Sequence, residues 1–303
     1  MNPNLFIIGS MKSGTTYLYS LLDAHPDVFM SEPKEPSYFV EPGQLKRLWP
    51  WMWGHEYWRG LDRYLELFDP AGSAPFVGEA SVYYTYRPHA SGVPERLHRF
   101  NPQARLIYVM RDPIQRTISH YWHSVLHLGE HRPLAEAIDK DRQYTDVSHY
   151  AMQLAPYLER FGPERMKMIT FEELTADPEG TVASILRWLD LDASAVPAPI
   201  PPKNVTPKTI GRSLGGLRRL RQQNSLVRLA ADSLPAPLRH LGSRMVTREV
   251  NTDAVDTTEV VNRLRPLQQR QTEALTGLIG RRFPEWTTLD PARASSPATR
   301  AAG

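Results

Sequence analysis

Cysteine is absent from the chain, which removes disulfide frameworks, thiolate zinc sites, iron–sulfur clusters and cysteine nucleophiles together. Long apolar runs are missing too. No stretch approaches the roughly 18 uninterrupted apolar residues of a membrane helix. The N-terminal MNPNLFIIGS has neither the basic n-region nor the small-residue cleavage site of a secretory leader. The expectation is a protein with no membrane span, kept in the cytoplasm. Charge of one sign is also scarce, since 36 Lys plus Arg stand against 33 Asp plus Glu. A balance of +3 is too small to imply a nucleic-acid partner. What the chain does have is 303 residues, 41% of them hydrophobic, enough for a sizeable core without staples. Length alone allows up to two domains, although α/β folds often reach this size as one.

The charge is unevenly spread. Between Lys203 and Arg248, a segment that includes Lys208 and Arg212, lie ten basic residues and a single acid, Asp232. Such a segment reads either as a solvated helix face or as an anion-attracting wall beside a site. Five prolines from Pro197 to Pro207 precede it and interrupt regular structure. The tail from Pro291, PARASSPATRAAG, is small and polar, the composition of a disordered terminus. The expected division is one domain over 1–290 and a tail over 291–303.

Hydrophobic patterning predicts alternating strands and helices. Leu5 to Ile8 is a short continuous apolar run ending at Gly9, the pattern of a parallel strand buried on both faces. Ser13, Gly14, Thr15 and Thr16 then open a helix whose Tyr17, Leu18, Leu21 and Leu22 recur at helical spacing until His25-Pro26. Further strands are predicted at 27–30, 76–78, 106–110 and 166–171, with helices at about 61–68, 94–100, 113–122, 149–161, 178–190 and 260–283. Pro113 suits the first turn of its helix, where its missing N–H leaves no bond unmade. This alternation predicts an α/β fold with a central parallel sheet flanked by helices.

Chemistry concentrates in Gly9-Ser-Met-Lys-Ser-Gly-Thr-Thr16, placed between a buried strand and a helix. There, backbone N–H groups and the helix dipole make an anion site, a P-loop-like strand-loop-helix. It is not a standard nucleoside-triphosphate loop. In that motif Lys directly follows the second glycine and a hydroxyl residue holds Mg²⁺; here Lys12 precedes Gly14, and Thr15 stands in the lysine's place. A shorter 5′ anion chain is better served than a triphosphate with its metal.

These residues resemble the 5′-phosphosulfate segment of sulfotransferases that use 3′-phosphoadenosine 5′-phosphosulfate, in particular the bacterial and heparan-sulfate-type branch. The likeness runs through FIIGSMKSGTTYLYSLLDAHPDVFMSEPKEPSYF, including the KEP-like loop Lys34-Glu35-Pro36. Tyr108 to Ser119, YVMRDPIQRTIS, is similar to the family's 3′-phosphate motif. The physics agrees, because a guanidinium at a strand's C-terminal edge can fork two phosphate oxygens and a helix hydroxyl can complete the shell. Two weaker likenesses are the aromatic segment 54–68 and FEELTADP with RWLDLD, where Glu172 and Glu173 read as structural.

The resemblance implies a PAPS-dependent sulfotransferase that releases adenosine 3′,5′-bisphosphate and needs no metal. Lys12, Ser13, Gly14, Thr15 and Thr16 would hold the 5′ group, and Arg111 and Ser119 the 3′-phosphate. Lys12 would also stabilise the leaving oxygen, and Glu35 would be the base, with Glu32 in reserve. A histidine base, the device of the cytosolic branch, would fall to His120 or His123, which would have to reach back across the cleft. One departure stands out: where heparan-type members have a lysine in a Glu-Lys-Ser/Thr motif, this chain reads Gly78-Glu79-Ala80-Ser81. Lys203, Lys208 or Arg212 could supply the missing charge. The acceptor is a small molecule or carbohydrate of open identity, among which Trp49, Trp51, Trp53 and Trp58 could stack. The competing readings are a nucleotide kinase or other phosphoryl transferase, and a nucleotide- or glycan-binding relative without turnover. The sequence does not specify an oligomeric state.

Overall fold

The computed structural model describes residues 2–195, 207–213, 247–290 and 292. Its centre is a five-stranded sheet of β1 (Leu5–Ile7), β2 (Val28–Met30), β3 (Phe76–Ala80), β4 (Arg105–Met110) and β5 (Met166–Thr170), in the order β2-β3-β1-β4-β5. Every pairing in it is parallel. The expected α/β architecture is therefore the observed one.

Helices connect the strands. α1 (Thr15–Asp23) follows β1; α2 (Pro42–Leu48) and α3 (Leu61–Leu65) lie between β2 and β3; α4 (Val93–Phe100) leads to β4. Between β4 and β5 come α5 (Pro113–His123), α6 (Leu134–Lys140), α7 (Gln143–Asp146) and α8 (Tyr150–Phe161). After β5 follow α9 (Phe171–Ala176) and α10 (Pro178–Trp188), and later α11 (Thr258–Ile279).

The central strands are apolar throughout because both sheet faces are covered. Phe6, Leu106, Tyr108 and Met110 point into a cluster with Leu97 of α4 and Leu154 of α8. Their alternates Leu5, Ile7, Ile107 and Val109 pack against Leu18, Leu21 and Leu22 of α1 and Val182, Ile185 and Leu186 of α10. Each such fully buried aliphatic side chain stabilises the fold by about 1.5–3 kcal/mol. A third cluster joins α5, α6 and α11 through Ile114, Ile138 and Leu264.

Several boundaries differ from the sequence reading, each for a local reason. The strand expected at 76–78 continues through Glu79 to Ala80, because Glu79 finds hydroxyl partners inside. Phe171 begins a helix rather than ending a strand, since Thr170 and Glu173 form a capping box at that point. The closing helix stops at Ile279, where Gly280 adopts a left-handed φ of 69°. The basic helical region expected beyond the prolines lies mostly outside the described residues; at its two ends Thr209–Ser213 (β6) and Thr247–Asn251 (β7) form an antiparallel pair. Lys203, Arg218, Arg219, Arg221, Arg228, Arg239 and Arg244 lie outside the described residues, as does the tail apart from Ala292. Among the described residues no helix is long and apolar enough to cross a membrane, and no cluster of three or more His, Cys, Asp or Glu could hold a metal ion.

Register places the functional loops together. Ile7 is level with Ala80 on one side and with Ile107 on the other, so β1, β3 and β4 end at one edge. The segments that follow the strands all leave from that edge, where parallel α/β sheets bind ligands.

Candidate active site

The loop after β1 is held from below and left open above. It extends the sheet pairing, with Ser10 N–H donating to the Val109 carbonyl at 2.7 Å and Val109 N–H to the Gly9 carbonyl at 2.8 Å. The Ser10 and Ser13 hydroxyls bond each other at 2.7 Å, both fully buried. Ser13 therefore stiffens the loop from inside rather than offering its hydroxyl outward. Lys12 holds a left-handed φ of 69°, costly for a residue with a side chain. Gly14 has φ +85°, and a Cβ there would lie 2.8 Å from the Phe171 ring.

α1 starts at Thr15 with no side-chain cap and no acid in its first turn. Thr15 is buried there and Thr16 is half-buried beside it. By contrast, Asp112 caps α5, Thr170 caps α9 and Asp177 caps α10. The uncapped helix thus presents its N–H groups and dipole on the side where Lys12 stands. Lys12 has no ion-pair partner among the described residues. Burial first, then the charge of Arg111, pulls its ammonium down from 10.5 to about 8.

The sequence-predicted Arg111 lies beside this loop. Its Nη1 donates to the Lys12 carbonyl at 3.4 Å, and its guanidinium lies over Phe171, 4.5 Å from the ring centroid. Tyr150 fixes its backbone, with the hydroxyl donating to the Arg111 carbonyl at 2.7 Å. Asp112 does not pair with Arg111. It accepts from Ile114 and Gln115 N–H and from Thr288 N–H and Oγ1, so it caps α5 and ties down the C-terminal segment. Glu172 accepts from Asp112 N–H at 2.9 Å. Burial drives its carboxyl up to about 7.

Ser119 follows on α5, on the same face as Arg116, His120 and His123 by helical spacing. Its hydroxyl has no hydrogen-bond partner among the described residues. Thr117 shows the contrast, since its Oγ1 donates back to the Pro113 carbonyl at 2.8 Å. The Lys12 charge reaches both His120 and His123. Burial, then Arg116, His123 and Lys12, hold the His120 imidazole well below its usual range. Burial, then Lys12 and His127, bring His123 to about 3. Imidazoles that resist protonation to this degree make poor general bases at neutral pH.

Glu35 occupies the other side. Its N–H donates to the Ala80 carbonyl at 3.0 Å, which anchors the KEP loop to the end of β3. Like Lys12 it is left-handed, with φ 66°. Its Oε2 accepts from Val82 N–H at 2.8 Å and its Oε1 pairs with the Lys34 ammonium. Its side chain remains 22% exposed, so an incoming group can reach it. Glu32, the reserve residue, is exposed at the loop's outer edge.

Beneath Glu35 lies a carboxylate network that the sequence did not announce. Glu79, fully buried, accepts from Tyr64 Oη at 2.8 Å, Tyr84 Oη at 2.6 Å and Ser81 Oγ at 2.6 Å. Burial raises its carboxyl to about 7, against the pull of those three hydroxyls. Ser81 Oγ in turn accepts from Ser37 N–H at 3.1 Å. The position that lacks a heparan-type lysine is Ala80, fully buried in the strand. Lys208, a suggested substitute, is exposed beside β6.

The tryptophans separate into different roles. Trp49 is core, 4.3 Å from the Tyr83 ring. Trp53 and Trp58 stack at 3.6 Å with Lys46 and Arg59 over them. Among these four, Trp51 alone is substantially exposed, at 46%, and the Tyr83 hydroxyl near it feels the charge of Glu35.

Sequence reasoning missed Phe171, Glu79 and Arg116. Phe171 falls at a strand-to-helix junction, where it read as one more buried strand residue. Arg116 stands five residues after Arg111 in the same motif, and that spacing was the available signal.

The profile described as the sulfotransferase family matches residues 3–195. A bifunctional heparan sulfate N-deacetylase/N-sulfotransferase 1 from Caenorhabditis elegans is 26% identical over 201 residues, covering 62% of this chain and 22% of that protein. The heparan sulfate glucosamine 3-O-sulfotransferase 3B1 of Mus musculus is 27% identical over 198 residues, covering 62% of this chain and 46% of that one. The chain thus matches less than half the length of these relatives. Among solved structures, a sulfotransferase from Alicyclobacillus acidocaldarius shares the fold at TM-score 0.68 and 24% identity, covering 94% of this chain and 99% of its own.

Proposed function

The chain belongs to the sulfotransferase family, and from that premise we propose that it moves the sulfuryl group of 3′-phosphoadenosine 5′-phosphosulfate to a hydroxyl or amine of a carbohydrate or small-molecule acceptor. The observation that carries the proposal is the convergence of Lys12 and Arg111 on an uncapped helix N-terminus. The residues present suit this cofactor. Gly14 leaves a cradle without a Cβ, and among the described residues Lys12 has an unengaged ammonium and Ser119 an unengaged hydroxyl one helix away.

In this reading Ser13 shapes the loop, Gly14, Thr15 and Thr16 offer backbone N–H groups to the 5′ anion, and Arg111 with Ser119 holds the 3′-phosphate. The cofactor supplies an activated sulfuryl group whose leaving atom is a phosphate oxygen. Lys12 stabilises the negative charge that develops on that oxygen. Glu35 takes the acceptor proton, with Val82 N–H fixing one carboxylate oxygen while Lys34, on its flexible stem, moves off the other. Lysine, arginine and N–H groups meet the charge of a group this size without a metal.

The test is to incubate the protein with the cofactor and a panel of amino sugars, neutral sugars and phenols, following adenosine 3′,5′-bisphosphate release and the sulfated product. Acceptor-dependent release with a product heavier by one sulfuryl group is the expected result. Hydrolysis of ATP–Mg²⁺ with no response to the sulfated cofactor would assign the site to phosphoryl transfer, and binding of the bisphosphate without turnover on any acceptor would leave a binding protein. The cytoplasmic location and the 1–290 domain remain parts of this proposal, tested by cell fractionation and limited proteolysis.

A further inference from the structure

The most completely buried charge near the loop belongs to a residue without an assigned role. Arg116 on α5 is 0% exposed. Its Nε donates to Ser148 Oγ at 2.5 Å, its Nη1 to the Met11 carbonyl at 3.4 Å and its Nη2 to the Tyr144 carbonyl. All three acceptors are neutral. Among the described residues no carboxylate forms an ion pair with it.

The titratable groups around it do not cancel its charge either. Tyr150, Tyr86 and Tyr108 face it, all phenols that burial keeps protonated, and Arg111 adds a like charge. His120 and His149 feel it as a positive neighbour and stay neutral. Asp146 of α7 is engaged elsewhere, by His89 at 3.0 Å, Arg142 at 3.6 Å and His149 at 3.7 Å.

A buried cation without a counter-ion is strongly disfavoured, and an apolar side chain of similar volume is often as stable or more so. Packing alone therefore does not account for an arginine here. Its bond to Met11 points to the reason. Arg116 holds the Met11 carbonyl and Arg111 the next one, that of Lys12. Two arginines of one motif thus grip successive peptide units of the loop. Lys12, Arg111 and Arg116 together form a set of three cations, none of them in an ion pair among the described residues.

We propose that Arg116 is a positioning residue of the anion site: its charge is balanced by the 5′ anionic group held in the Gly9–Gly14 loop, and its grip on Met11 keeps Lys12 in its left-handed conformation. The proposal deepens the sulfotransferase reading and rests on it. Because the charge is buried, ions in solution screen it less than they screen a surface lysine.

The test compares Arg116→Gln, Arg116→Met and Arg116→Lys with the wild-type chain. Binding of adenosine 3′,5′-bisphosphate and of pyrophosphate is measured by calorimetry, and folding by circular dichroism. We expect the uncharged variants to fold and to bind both anions at least tenfold more weakly, while Arg116→Lys recovers most of the affinity. Undiminished anion affinity in the Gln and Met variants would overturn the proposal. So would a Lys variant no better than Gln, or failure of both uncharged variants to fold, because each assigns Arg116 a purely structural part. If the wild-type chain binds pyrophosphate but not the bisphosphate, the nucleotide reading falls. The pyrophosphate comparison then still decides on Arg116.

Discussion

The guanidinium of Arg111 lies over the ring of Phe171, 4.5 Å from its centroid, and the same ring fills the space that a side chain at Gly14 would need. One aromatic residue therefore sets the distance between the two halves of the anion site. A cation over a partly desolvated ring contributes about 0.5–2 kcal/mol. Phe171→Ala should weaken adenosine 3′,5′-bisphosphate binding by roughly 2- to 30-fold while leaving the far-ultraviolet circular dichroism unchanged. Equal affinity in calorimetry would mean that Arg111 is positioned without the ring.

Gly14→Ala meets two obstacles, a φ of +85° and a Cβ 2.8 Å from Phe171 Cδ2. A non-glycine residue in such a conformation costs on the order of 1–3 kcal/mol. The midpoint of thermal unfolding should fall by several degrees, and the bisphosphate should no longer raise it. A variant that melts and responds like the parent would show that the loop tolerates a different path.

Glu35→Gln should separate chemistry from cofactor binding. Loss of a general base lowers turnover by about 10²–10⁴-fold. The bisphosphate should bind as before, because no bond from Glu35 reaches Lys12 or Arg111. Retained turnover would move the role of base elsewhere.

The Lys12 ammonium, lowered to about 8, makes cofactor binding pH-dependent. Without ligand, the folded chain holds fewer protons than the unfolded chain between about 8 and the ordinary 10.5, so this group adds stability as pH rises through that window. A bound anion favours the charged form and reverses the effect. Affinity for the bisphosphate should therefore decline above about pH 8, with proton uptake on binding there. Calorimetry in two buffers of different ionisation enthalpy reads this uptake; its absence in the wild-type chain, or its persistence in Lys12→Met, would exclude Lys12 as the source.

Glu79 predicts a pH effect of opposite sense. Burial raises its carboxyl from 4.5 to about 7, so across that window the folded chain keeps a proton that the unfolded chain has released. Stability from this group is present at low pH and falls as pH rises toward 7, by at most on the order of 3 kcal/mol. Glu172, also raised to about 7, acts in the same direction. His120 and His123, held neutral by burial, oppose this with stability that rises with pH up to about 6.5. Glu79→Gln removes one falling contribution, so urea-unfolding stability should rise more steeply, or fall less, with pH between 5 and 7 than in the parent; an unchanged pH dependence would refute the assignment.

Much of the fold was legible in the sequence because its signals are local. The apolar runs at β1 and β4, the prolines at helix starts and the glycines of the first loop each act over a few residues. Lys12, Gly14 and Arg111 were legible for the same reason, since a strand end followed by a glycine loop or by Arg-Asp-Pro defines its own surroundings. Glu79 was not. Its burial depends on hydroxyls of Tyr64, from an earlier segment, and of Ser81 and Tyr84 just after it, and no regular spacing signals that all three turn toward one carboxylate. The two strands Thr209–Ser213 and Thr247–Asn251 were missed because their partners lie far apart in the chain.

By itself the sequence determined the element order, the parallel class of the sheet and the residue types able to hold an anion, because periodicity and backbone chemistry are properties of neighbouring residues. Only the tertiary structure decided which groups share one site. Parallel register brings the ends of β1 and β3 level beside β4, which runs three residues further, and burial then alters what their side chains do. It lowers the Lys12 ammonium, raises Glu79, and leaves Arg116 charged without a carboxylate partner among the described residues. Those consequences come from water removed by segments distant in the chain, and the local pattern carries no record of that removal.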